Sequence, residues 1–561
     1  MKVTANVLLN YIRCRRYASL NDPDLDYTLS EYKLNSHDYY KDYIDMFYDI
    51  YFDDTLDIER NLKLSYDFHS DIQLQDKFHY YIEDRNELYY LMPTTSKDFL
   101  KLKYRVGKKK LQMFNKNKQG IYELKQENLT IIESNYLDKI KKLLTRTDDL
   151  GRTVYNYAFK MFLYNKVNPE SNTKLYFVVL NSDYVYNGVN YTKDLYKVLD
   201  FSHLYKIYSE IIEADIYRMI NHIELDDFTS CPLVKKECRK GDSFECKFVD
   251  FCFSHIPKYN SILNYFSSFR GFDEMTEAGI VNHDAYDLLN EGYVDILDLP
   301  ISWLKDEHHL MQRYCAENEH VHLHKPKIKK ILDTLKYPLI YLDFEASPCL
   351  LPRYKAEKPY SQSVFQYSIH IELEPGVLEK DGARHFEFIG KPNIDCRREI
   401  VENLIRICNE YNSSIIVYNK TFEMMRFREL QNVFPEYKED IQKMIDRLFD
   451  LMDVVKTNKK LYIELGFSEE DAGRYNFYHH KLSGSYSLKK VISVFNESAY
   501  KNLNIQNGVQ AYESFMGLEN LEPTEYDNVI QDLLEYCKQD TYSMFEIIVG
   551  IKKLIAEWLQ N

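Results

Sequence analysis

The apolar positions of this chain follow two rhythms, and their order divides it into three stretches. From residue 336 to the end, short apolar runs come first: PLIYLDF, SVFQYSIHIEL, ARHFEFIG and SSIIVYN. Such runs, bounded by turn formers, predict buried strands. Apolar residues at three- and four-residue spacing predict helices in CRREIVENLIRICNEY, TFEMMRFRELQNVF, SYSLKKVISVF and TEYDNVIQDLLEYCKQDTYSMFEIIVGIKKLIAEWL. Three consecutive strands, then helix–strand–helix, predict a mixed sheet flanked by helices for 336–561. Residues 259–335 read as a wholly helical connector, broken at Gly271, Gly279 and Gly292. Residues 1–258 mix both rhythms. There LYFVVLNSDYVYNGVNY predicts a β-hairpin turning at Asn187-Gly188, and the following DLYKVLDFSHLYKIYSEIIEADIYRMINHIE predicts a long amphipathic helix. The fold class is therefore α/β and multidomain, in keeping with 561 residues at roughly 150 per domain.

Composition narrows the function less than the pattern does. Hydrophobic residues make up 45% and charged residues 28%, a globular balance. No apolar run is long enough to span a bilayer, and the start lacks the apolar core and cleavage site of a signal peptide. A cytoplasmic location with no membrane partner is the expectation. The net charge of -15 argues against a generic nucleic-acid coating protein, yet leaves room for an acidic metal site beside a local basic groove. The basic runs Lys108-Lys109-Lys110, Lys235-Lys236 and Lys325-Pro326-Lys327-Ile328-Lys329-Lys330 read as solvated faces.

The run YLDFEA carries the first chemistry. Asp343 and Glu345 stand two apart on a core strand, so they point to one face. Burying carboxylates there is costly unless they are paired or hold a metal. Glu423 follows the strand SSIIVYN, where a helix begins. Tyr536 and Asp540 are four apart on the last helix and share one side of it. Carboxylates converging from strand and helix ends suit hard cations such as Mg²⁺ or Mn²⁺. Two such ions about 3.5–4 Å apart stabilise the attacking and leaving oxygens of phosphodiester cleavage. Tyr536 would orient the attacking water.

D-x-E on a first strand, Asn419 and Phe422 before Glu423, and Y-x-x-x-D on a C-terminal helix resemble the DEDDy 3′–5′ exonucleases. The segment Gly484-Ser485-Tyr486-Ser487-Leu488-Lys489-Lys490-Val491 is similar to one in polymerase exonuclease domains. The resemblance implies an RNase H-like fold for 336–561. It also implies Asp343, Glu345, Glu423 and Asp540 as metal ligands, with Tyr536 completing the catalytic set. Glu423 stands where that family carries Asp. Asp450 is an alternative ligand and also fits a helix-boundary acid.

The second chemistry lies in TSCPLVKKECRKGDSFECKFVDFC, which holds Cys231, Cys238, Cys246 and Cys252. Thiols at this density suit Zn²⁺ or an iron–sulfur cluster, or else are buried free thiols. With Cys14 in YIRCRRYASL, the arrangement resembles RecB-family nucleases with a structural cluster. That implies Cys14, Cys238, Cys246 and Cys252 as ligands of a [4Fe-4S] cluster; a zinc site using Cys231 instead of Cys14 is the alternative. The family's E-x-K matches Glu123-Leu124-Lys125, and its Q-x-x-x-Y appears with Lys160 in place of Gln and Tyr164 retained. With no upstream Asp, residues 1–258 are expected to keep a RecB-like fold, lack strong catalysis and hold nucleic acid.

The whole order resembles a bacterial family that fuses a RecB-like (PD-(D/E)XK) domain to a DEDDy-type exonuclease domain. The resulting expectation is a metal-dependent 3′–5′ exonuclease acting on DNA or RNA. The alternative is a catalytically weak nucleic-acid-binding or scaffolding protein built from two retired nuclease domains.

Overall fold

The structure is a computed structural model. It describes residues 1–16, 37–52, 56–106, 108–124, 138–139, 141–143, 149–202, 205–225, 232–238, 246 and 248–560. It is mixed α/β, with several sheets of mixed strand direction. The chain divides into two compact units: Met1–Phe253 with Leu350–Ser361, and Ser254–Cys349 with Gln362–Asn561.

The first unit is built on a seven-stranded sheet. Its central strands are Glu87–Thr95, Lys174–Leu180 and Tyr196–Asp200. Successive side chains of a strand face opposite ways, and this one uses both faces. Leu175, Phe177 and Val179 enter a core with the helices Ala5–Arg13, Asp149–Val167 and Tyr205–Leu225. Tyr176, Val178 and Leu180 enter a second core with Tyr43 and Phe47 of His37–Tyr51, and with Leu350.

The predicted hairpin exists with a different second arm. Lys174–Leu180 pairs antiparallel with Tyr196–Asp200, not with the residues after Asn187-Gly188. Asn187 and Gly188 instead close a loop: the Asn187 side chain accepts from the amides of Val189 and Asn190, and Gly188 adopts φ +86°. The predicted long helix therefore starts only at Tyr205, because YKVLD is the paired strand.

Residues 259–335 belong to the second unit and are not wholly helical. Phe272–Thr276 and Gly279–His283 form a hairpin, with Gly279 (φ +124°) at its turn. The glycine read as a helix break is a turn residue.

The second unit's main sheet comprises β1 (Leu339–Pro348), β2 (Gln362–Glu372), β3 (His385–Ile389), β4 (Ile415–Val417) and β5 (Leu448–Asp450), ordered 3-2-1-4-5. β1, β2 and β3 are antiparallel neighbours; β1, β4 and β5 run parallel. Helices α1 (Arg397–Cys408), α2 (Thr421–Val433) and α3 (Lys438–Ile445) bring Ile400, Leu404, Phe427, Leu430 and Met444 against Ile340, Leu342 and Phe344 of β1. On the other face, Leu339 and Tyr341 share a core with α4 (Leu488–Phe495), α5 (Gly508–Gly517) and α6 (Pro523–Gln560). The strand's period of two thus assigns Asp343 and Glu345 to the α6 side, in step with Tyr341. A register shift between Glu345 and Ala346 marks a bulge immediately beyond the two acids.

Among the described residues, no helix is long and apolar enough to cross a membrane.

Candidate metal centre

The second unit brings Asp343, Glu345 and Asp540 together. One carboxylate oxygen from each lies within 4.8 Å of the other two. β1 supplies the first two acids and α6 the third. Gly508, at the start of α5, packs beside this group: a Cβ on it would lie in ordinary contact with Glu345 Oε2, at 3.7 Å.

Three other groups organise the acids. Tyr500 donates to Asp540 Oδ1. The Cys537 thiol lies 3.6 Å from Asp343 Oδ2. Lys489 of α4 donates to the Tyr536 hydroxyl at 3.0 Å and to the Gln506 carbonyl, and its ammonium sits 4.6 Å from the Tyr536 ring centroid. Sequence reasoning missed Tyr500, Cys537 and Lys489 as members of the centre. Lys489 lay within the quoted SYSLKK segment and Cys537 directly follows Tyr536. Tyr500 had no local signal.

The electrostatics follow from burial. Desolvation raises Asp343 well above the ordinary carboxylate range, and Asp540, Glu345 and Glu423 add to the rise. Glu345 is raised by burial and by Asp540, against the opposing pull of Lys489. Asp540 is pushed up to about 6 by burial, which Tyr500, Lys489 and Tyr536 oppose. Lys489 is lowered by burial, with the three acids opposing. Ionised carboxylates crowded in this way require compensating positive charge.

Glu423 sits in the first turn of α2, 2% exposed. It is near enough to Asp343 to raise it, but outside the group formed by the other three acids. Its Oε2 is buried with no hydrogen-bond partner, and burial pushes its carboxyl up to about 8. An orphaned buried carboxylate oxygen costs about 1–3 kcal/mol, more if charged, unless something binds it. The all-oxygen donor set and this free oxygen fit Mg²⁺ or Mn²⁺.

Asp450, the alternative ligand, is already occupied. Its Oδ1 accepts from the amides of Asn419 (2.9 Å) and Met452 (3.0 Å), and its Oδ2 from Lys420 (3.0 Å). It ties β5 to the β4–α2 turn, where Asn419 adopts φ +62°, a conformation Asn tolerates. Of its two sequence readings, the structure matches the helix-boundary acid.

In the first unit, Cys14 caps the helix Ala5–Arg13, and the Cys246 amide donates to the Cys238 carbonyl at 2.9 Å. Burial pushes the Cys238 thiol up to about 11, with Cys246 and Cys252 contributing. Among the described residues, no three of these sulfurs come within 4.8 Å of one another. Cys231 and Lys125 lie outside the described residues. Glu123 accepts from Asn117 at 2.5 Å. Lys160 is buried against Asp76 and the Lys77 carbonyl, and Tyr164 bonds Thr173 at 2.8 Å. Lys160 thus makes a buried ion pair where the nuclease pattern carries Gln.

Together the fold and the centre define an α/β domain whose central strand carries, midway along its length, two acids that meet a third from α6; Glu345 and Asp540 are buried and Asp343 half-buried. Residues 340–487 match a domain family described as "Domain of unknown function (DUF2779)". That span includes Asp343, Glu345 and Glu423 and stops before Lys489, Tyr536 and Asp540. The chain is similar to "Uncharacterized protein MG366" of Mycoplasma genitalium, 28% identical over 247 residues, covering 41% of this chain and 34% of that protein. It is also similar to "Uncharacterized protein UU173" of Ureaplasma parvum serovar 3, 23% identical over 423 residues, covering 67% of this chain and 56% of the relative. The chain therefore spans about a third and just over half the length of these two curated relatives. No solved structure matches it.

Proposed function

We propose that the second unit is an RNase H-like 3′–5′ exonuclease that hydrolyses DNA or RNA with two divalent cations. The observation that carries this reading is the convergence of Asp343, Glu345 and Asp540 within 4.8 Å, beside the orphaned buried oxygen of Glu423. The strand order 3-2-1-4-5, with β2 antiparallel to β1, supports the fold assignment.

In this reading Asp343, Glu345, Asp540 and Glu423 hold two Mg²⁺ or Mn²⁺ ions. When bound, the pair supplies Lewis acidity to the attacking and leaving oxygens at phosphorus. The chain's own residues set the frame. Tyr500 and the Cys537 thiol fix the orientations of Asp540 and Asp343. Lys489 donates to the Tyr536 hydroxyl, and that hydroxyl bonds Asp540, so the two groups hold the phenol facing the acids, where in this reading it orients an incoming water. The first unit is read as a RecB-like fold that holds nucleic acid without cutting it, because its pattern lacks an upstream Asp and carries Lys160, paired with Asp76, where that family has Gln.

The test is digestion of a 3′-labelled single strand with Mg²⁺ or Mn²⁺, comparing wild type with Asp343→Ala. Loss of 3′ label in the wild type alone is expected. Equal digestion by both proteins rejects the assignment.

A further inference from the structure

The first unit carries a second charged feature, outside any motif. Residues 97–118 hold nine basic side chains against one acidic, in a chain whose net charge is -15. Lys103–Val106 and Lys109–Gln112 form an antiparallel hairpin in this segment. Its register places Arg105 directly opposite Lys110, and Lys103 opposite Gln112. Alternation sends Tyr104 and Leu111 to the other face, where Tyr104 is buried in the core of the unit. Lys101, Lys103, Arg105, Lys110 and Lys139 line one concavity of about 550 Å³. Read as sequence, Lys108–Lys110 was only a solvated face. The hairpin and Lys139 turn part of that run into one wall of a basic cleft.

Like charges directly opposite in a sheet repel and destabilise the pair. A bound polyanion removes that repulsion. We infer that this concavity binds the phosphodiester backbone of a nucleic-acid strand. The choice of nucleic acid among polyanions rests on the nuclease reading of the second unit. Lys and Arg contacts to phosphates supply sequence-independent affinity for a nucleic-acid backbone.

The test is fluorescence anisotropy of the full chain with a labelled single strand of about 20 nucleotides, in EDTA, over a salt series. The variants are Lys103→Ala/Arg105→Ala/Lys110→Ala and a control, Lys459→Ala/Lys460→Ala, whose lysines already face Glu469 and Glu464. Removing three phosphate contacts is expected to reduce the slope of log K against log salt by about 2, and affinity at low salt by roughly tenfold or more. The control retains the wild-type slope. Unchanged strand binding by the triple variant overturns the inference, as does wild-type binding to phosphatidylserine vesicles but not to the strand. Hydrolysis of bis(4-nitrophenyl) phosphate with Mn²⁺, measured on the same proteins, separates the two readings. Failure of wild type to cleave it, with strand binding that still depends on the hairpin, rejects the nuclease reading and supports the hairpin assignment. Matching thermal melts establish that the variant is folded.

Discussion

The Lys489 ammonium lies 3.0 Å from the Tyr536 hydroxyl, beside three converging carboxylates of which Glu345 and Asp540 are buried and Asp343 half-buried. It lowers the proton affinity of Glu345 and Asp540, against the rise that burial imposes. Lys489→Met removes this opposition, so both acids hold their protons to higher pH. The acidic limb of the cleavage pH profile is expected to move upward by about 1 unit. Lys489→Arg keeps the charge and is expected to keep the limb near its wild-type position. An unshifted limb in Lys489→Met removes Lys489 from the centre's electrostatics.

In the two-metal reading, Glu423 sets stability against function. Its Oε2 is buried and unpartnered, a state that favours whatever replaces it when metal is absent. Glu423→Met fills similar volume without a carboxylate. In EDTA at neutral pH it is expected to stabilise the protein by about 1–3 kcal/mol, while strand cleavage falls. Chemical denaturation and the 3′-label assay read the two effects. A variant that is both less stable and fully active rejects this role.

Much of the second unit was legible in its sequence because local and tertiary preferences agree there. PLIYLDF, SVFQYSIHIEL, ARHFEFIG and SSIIVYN are each strands, since each run is apolar on faces that do become buried. β5 was not legible: Leu448–Asp450 is three residues long, and its strand character comes from pairing with β4. The loop at Asn187-Gly188 failed for the opposite reason. A strong turn signal was present, but the Tyr196–Asp200 strand supplied the better partner for Lys174–Leu180. Within the centre, the spacing of Asp343 and Glu345 and of Tyr536 and Asp540 placed each pair on one face. Tyr500 and Asp540 are forty residues apart, so their contact arises only from packing.

Asp450 distinguishes a ligand from a structural acid. Its carboxylate accepts three backbone amides, from Asn419, Lys420 and Met452. Hydrogen bonds to a charged group contribute about 1.5–3 kcal/mol each, without simple additivity. Asp450→Ala is expected to cost a few kcal/mol in chemical denaturation. Mn²⁺ stoichiometry, measured by calorimetric titration on the folded variant, is expected to stay at the wild-type value. A lost equivalent of Mn²⁺ from a variant of unchanged stability would make Asp450 a ligand.

The centre also fixes how stability varies with pH. Without metal, Glu423 sits near 8 and Asp540 near 6, against ordinary values of 4.5 and 3.8. Both carboxyls keep their protons in the folded protein after the unfolded chain has released them. Their contribution is full below the ordinary values and is lost as pH rises through about 6 and then about 8. In EDTA the melting temperature is therefore expected to fall between about pH 5 and 8. In the two-metal reading, divalent cations would bind the ionised acids and release the protons, so Mn²⁺ should raise the melting temperature most at the alkaline end. Glu423→Gln cannot titrate, and its decline in EDTA should be shallower above about pH 6.5. Thermal melts of both proteins in EDTA and in Mn²⁺ across this range provide the check. Parallel EDTA declines in wild type and Glu423→Gln would show that Glu423 is not the group that titrates. Identical melts with and without Mn²⁺ at about pH 8 would remove the metal from the centre altogether.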